Sequence, residues 1–131
     1  MNQQTAPYHA HVYYEPGTRD AAQRLRDELV AMKRGGATPD LQFVGELRDS
    51  CVGPHPKPQF EIHFLARALP RLKPALSAAG LTVLVHPLTD DDLADHTTLA
   101  EWIGEPLPLD VSVLDPPGRN QGVPRFGKGD F

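Results

Sequence analysis

An α+β fold is predicted for this 131-residue chain by three observations. Four short stretches alternate apolar and polar residues, the period of a strand. Two longer stretches repeat apolar residues at helical spacing. Their order, β-α-β-β-α-β, is that of the split-βαβ or ferredoxin-like plait: an antiparallel sheet of strand order 4-1-3-2 with both helices on one face. The hydrophobic share of 40% and charged share of 23% suit one globular core.

The first strand is predicted at residues 8–14, Tyr-His-Ala-His-Val-Tyr-Tyr. Aromatic and β-branched residues fill it, and Pro7 and Pro16-Gly17 bound it. Thr18 is a candidate N-cap with Asp20 in the first turn of a helix. Ala22, Leu25, Leu29 and Met32 form its apolar stripe, and Gly35-Gly36 stops it. Residues 41–47 read as the second strand. Residues 48–58, with three prolines, form a stiff connection longer than a hairpin needs.

Residues 59–65, Gln-Phe-Glu-Ile-His-Phe-Leu, alternate cleanly as a third strand. The second helix places Leu69, Leu72, Leu76 and Ala79 inward and ends at Gly80. Pro74 lacks the helical donor, so regular helix is expected only from there. Residues 81–86 are the fourth strand, ended by Pro87. Beyond it, Asp90-Asp91-Asp92 read as a solvated helix start. Thr97 or Thr98 is expected to cap a short helix carrying Leu99, Trp102 and Ile103, closed by Gly104. Leu107, Leu109, Val111 and Val113 alternate as an extra fifth strand, which Pro108 pushes to a sheet edge. The domain is expected to span residues 1–114, and residues 115–131 form a Pro/Gly-rich tail.

Alternation assigns the faces. Ala10, Val12, Phe60, Ile62, Phe64, Leu81, Val83 and Val85 belong under the helices. His9, His11, Tyr13, Glu61, His63, Thr82, Leu84 and His86 belong on the helix-free face. Antiparallel order brings His9, His11, His63 and His86 together there, with Glu61 further along. Several imidazoles and a carboxylate on adjacent strands point to a metal ion. The bland reading is a polar sheet face that happens to carry histidines.

A net charge of −4 without a basic run argues against nucleic acid and anionic membranes. No apolar run approaches spanning length. Cys51 is the only cysteine, which excludes an internal disulfide and a cysteine-rich zinc motif. A reduced, cytoplasmic protein is expected.

An ordered set of short pieces resembles the DOPA 4,5-dioxygenase family of aromatic ring-cleaving dioxygenases. The pieces are His9-Ala10-His11-Val12-Tyr13-Tyr14, Val52-Gly53-Pro54-His55, Phe60-Glu61-Ile62, Leu84-Val85-His86-Pro87, Asp95-His96-Thr97 and Trp102-Ile103-Gly104 with the residues that follow. The resemblance implies a ferredoxin-like protein, often dimeric, with a non-haem iron(II) centre that opens a catechol ring beside its hydroxyl pair using O₂. The matching histidines are His9, His11, His55, His86 and His96. His63 lies outside the pattern, and Asp90 stands where the family tends to have glycine. Iron(II) that must accept both catechol oxygens and O₂ leaves room for about three protein ligands. His9, His11 and His86 are the expected set, with Glu61 or His63 as possible additions. His55 and His96 are the candidates for moving protons, and Tyr13 for hydrogen-bonding substrate. Two other classes remain: a zinc enzyme on the same histidines, since purified protein could carry zinc, and a non-enzymatic dimeric ligand-binding module.

Overall fold

The computed structural model describes residues 3–36 and 38–115. The expected tail therefore lies, beyond Asp115, outside the described residues. Strand β1 runs Pro7–Tyr13, helix α1 Arg19–Arg34, β2 Leu41–Val44, β3 Gln59–Leu65, α2 Leu69–Ala78, β4 Val83–Pro87, helix α3 Asp92–His96 and β5 Glu101–Ile103. They form one antiparallel sheet of order β2-β3-β1-β4-β5. This is the ferredoxin-like plait, with β5 added outside β4.

One face of the sheet is the apolar core. Ala10, Val12, Phe60, Ile62, Phe64, Leu81, Val83 and Val85 all pack there against Ala22, Leu25 and Leu29 of α1 and Leu72 and Leu76 of α2. Burying each large side chain contributes roughly 1.5–3 kcal/mol, so this row fixes the register. A slip of one residue would push the histidines into the core and the aromatics out.

Four local expectations are corrected. Helix α2 begins at Leu69, not at Pro74. Pro70 sits in the first turn, where a missing N–H costs nothing. Pro74 forfeits only the bond to the Pro70 carbonyl, on an exposed side of the helix. Helix α1 is entered through a 3-10 turn at Pro16–Thr18, and the Thr18 hydroxyl bonds Glu15 rather than capping. The segment expected to be a helix around Trp102 is strand β5, paired to β4 as Val83↔Ile103, Leu84↔Trp102 and Val85↔Glu101. The expected strand over residues 107–113 is irregular and ends in a 3-10 turn, Val111–Val113, with Val111 and Val113 exposed. Pro106 and Pro108 hold that segment extended without a ladder partner, so it alternates without being a strand.

The acid run also differs from a solvated cap. Asp91 caps α3, accepting from Ala94 N at 3.0 Å. Asp92 and Asp95 are buried. Asp95 accepts from the Thr89 hydroxyl at 2.6 Å and the Thr89 backbone at 2.9 Å, and burial raises its pKa. These bonds close the turn after β4 and aim α3 back across the sheet. Among the described residues, no helix is long and apolar enough to cross a membrane.

Candidate metal centre

Cross-strand register arranges the helix-free face in rows. Phe43, His63, His9 and His86 are successive neighbours across β2, β3, β1 and β4. The next row is Glu61, His11, Leu84 and Trp102. Gln59 and Tyr13 pair in the row after that. This face is covered, with His9, His11, His63 and His86 each at most 2% exposed. Two segments cover it. The loop after β2 lays His55 on His11, ring centroids 4.2 Å apart, and α3 lays His96 on His86, also at 4.2 Å. Asp110 N donates to Pro54 O at 2.9 Å and ties the loop to the segment after β5.

Hydrogen bonds fix the ring orientations. His86 Nδ1 lies 2.8 Å from the Pro87 carbonyl. A carbonyl only accepts, so Nδ1 carries the proton and Nε2 a lone pair. His96 Nδ1 donates in the same way to Asp92 O at 2.8 Å. His11 Nδ1 meets Gln59 Oε1 at 2.9 Å, and a proton donated there leaves its Nε2 free for a ligand. His9 Nδ1 faces Glu61 Oε2 at 3.5 Å. His11 Nε2 and His86 Nε2 then point at each other, 3.0 Å apart. With both protons on Nδ1, the two lone pairs in that contact would repel unless a cation lay against them.

A proton is a poor candidate for that cation. Burial, and then the neighbouring His55, hold His11 well below the usual imidazole range. Burial, then His96 and His86, push His55 down to about 3. Nitrogen donors from neutral imidazoles suit a divalent transition metal. His9, His11 and His86 each offer one ligand atom, all within 4.8 Å of one another. His9, Glu61 and His63 form a second such group, sharing His9.

The expected site residues therefore assemble. His55 reaches the site because its loop folds over the sheet, and its Nδ1 shares a hydrogen bond with the Tyr13 hydroxyl at 2.7 Å. Burial raises the Tyr13 pKa, which keeps its hydroxyl protonated. Trp102 stacks over Tyr13 with centroids 6.1 Å apart. Gln59 escaped the sequence reading. It has the same strand parity as Glu61 and His63, which is the signal that would have placed it beside His11.

The model of the Dopa 4,5-dioxygenase family matches residues 8–113. The DOPA 4,5-dioxygenase of Amanita muscaria is 29% identical over 87% of this chain and 52% of its own length. An uncharacterized 21.2 kDa protein of Botryotinia fuckeliana is 29% identical over 82% of this chain and 62% of its own. The chain thus spans little more than half the length of these relatives. A crystal structure of a candidate dioxygenase from Nostoc punctiforme PCC 73102 superposes with a TM-score of 0.71 at 36% identity, covering 84% of this chain and 91% of that one. The family match runs from β1 through the segment that covers the histidine face, so the residues of the candidate metal centre lie within it, and the chain belongs to the Dopa 4,5-dioxygenase family.

Proposed function

We propose that the chain is a non-haem iron(II) dioxygenase that opens the ring of a catechol such as DOPA in the extradiol manner. The carrying observation is the pair of Nε2 atoms of His11 and His86, which face each other at 3.0 Å while the Pro87 carbonyl holds the His86 proton on Nδ1. His9, His11 and His86 would hold the metal through Nε2, each with an oxygen acceptor facing its Nδ1. Glu61 then stands behind His9 rather than on the metal. Iron(II), when bound, supplies the electronic link between a catechol and O₂ that neither has alone.

The rest falls to the protein. The reaction breaks the carbon–carbon bond next to the hydroxyl pair and adds both atoms of O₂. The catechol itself is the reductant, so no further co-reactant is needed. One group must accept a catechol proton and later return it. His96 serves as that group: it lies against His86, and its Nδ1 bond to Asp92 O leaves Nε2 to receive the proton. His55, paired with Tyr13, faces His11 from the loop and holds the Tyr13 hydroxyl for substrate or oxygen. The two covering segments exclude water. A homodimer belongs to the same proposal.

Metal analysis tests the ligand set, and oxygen uptake tests the chemistry. Anaerobically loaded protein should hold one iron(II) per chain, and His11→Ala should lose most of it. Incubated with DOPA and simple catechols, the loaded protein should take up O₂ and turn the solution yellow. Metal without uptake favours the zinc enzyme. No bound metal favours the ligand-binding module.

A further inference from the structure

His63 is not needed to hold the metal in the reading above, and it lies outside the pattern by which the chain resembles its family. It is also fully buried, beside the ligand His9. Its ring is parallel to that of His9, with centroids 3.7 Å apart and planes 6° from parallel. Phe43 packs on it as well, at 4.6 Å. Its Nε2 lies 3.2 Å from Glu61 Oε2, the oxygen that His9 Nδ1 faces at 3.5 Å.

We infer that His63 is a positioning residue that clamps Glu61 against His9 and so sets the orientation of a metal ligand. Glu61 has three side-chain torsions, and a single weak contact to His9 would not select one rotamer. A second contact to the same oxygen, from His63 Nε2 at 3.2 Å, does. The carboxylate then faces His9 Nδ1 and directs His9 Nε2 toward the metal. The ring stack holds the plane of His9, since β1 and β3 pair His9 with His63 directly. This inference rests on His9 being a ligand.

The competing use of the same atoms is a second metal, held by His9, Glu61 and His63. It would require His9 to give up its Nδ1 proton and bridge two cations. A neutral imidazole facing a carboxylate avoids that cost, which is why the clamp is favoured.

Cobalt(II) titration, read by absorption and by competition with a chelator of known affinity, separates the cases. Wild type should bind one equivalent. His63→Phe keeps the ring stack but removes the donor, and it should bind one equivalent about 10–100-fold more weakly. His63→Gln restores an amide donor where Nε2 was, and it should recover most of the affinity. Should His63→Phe fail to fold by circular dichroism, Glu61→Gln carries the test and should also weaken cobalt. A packing role would give the reverse order, with His63→Phe close to wild type and His63→Gln weak. That order, or a second cobalt equivalent in wild type that His63→Phe abolishes, overturns the clamp. Loss of all cobalt binding in wild type would instead overturn the metal centre itself.

Discussion

His11 shows how much of the centre is decided around single atoms. Its Nδ1 is satisfied by Gln59, its Nε2 faces His86, and its burial keeps it neutral. His55 is likewise pushed down to about 3 by burial and by His96 and His86. Both folded pKa values are depressed below an unfolded imidazole at about 6.5. In that window the unfolded chain binds more protons, so these groups favour folding above about pH 6.5 and lose that contribution as pH falls. Metal-free protein should melt lower at about pH 5 than at about pH 7.5, by on the order of 5–10 °C. A pH-independent melt would contradict neutral burial. His96→Ala should retain metal but slow turnover by roughly 10²–10⁴; unchanged turnover would move the proton role to His55. Parity alone placed His9, His11, His63 and His86 together. It said nothing of tautomers, which depend on Gln59, on the Pro87 carbonyl and on the Asp92 backbone. Those acceptors come from the turn after β4 and from a glutamine with no chemical signature of its own.

At the scale of elements, strands with a strong apolar side were readable, and short covering segments were not. The eight residues expected under the helices are all there, because the strands bury one face against α1 and α2. Strand β5 spans only Glu101–Ile103, too short for alternation to show, and its existence depends on the free edge of β4. Residues 107–113 alternate for want of any other constraint, with prolines stretching them. The end of β2 carries a test of how the scaffold serves the site. Gly45 N donates to Glu61 O at 2.8 Å, and Arg26 reaches from α1 to the Gly45 carbonyl at 2.6 Å. A Cβ at Gly45 would lie 3.0 Å from Glu61 O, 3.2 Å from the Phe43 ring and 3.4 Å from Glu61 Cγ. Gly45→Ala should therefore cost about 1–3 kcal/mol of stability and weaken metal binding, through Glu61 and Phe43. Thermal melts and chelator competition read both effects; a stable variant with loosened metal would show that only Glu61 moves.

The whole molecule is a plait whose two faces do different work. One face buries apolar side chains beneath two helices. The other buries histidines beneath a proline-stiffened loop, a short acidic helix and the extended segment after β5. Burying so many imidazoles is costly unless something compensates them, and a bound divalent ion does so. Ligand binding to the folded state alone adds about 2.7 kcal/mol when free ligand is a hundredfold above Kd. A chelator should accordingly lower the melting temperature of loaded protein, whereas His11→Ala should be nearly insensitive to it. The central claim is ring opening by O₂ at this face. The direct measurement is mass analysis of the product when iron(II)-loaded protein turns over a catechol under ¹⁸O₂. The account predicts a yellow, ring-opened product heavier than the catechol by one O₂, carrying label and consuming O₂ mole for mole. An unlabelled quinone with hydrogen peroxide as co-product, or no turnover by protein that has kept its metal, would contradict it.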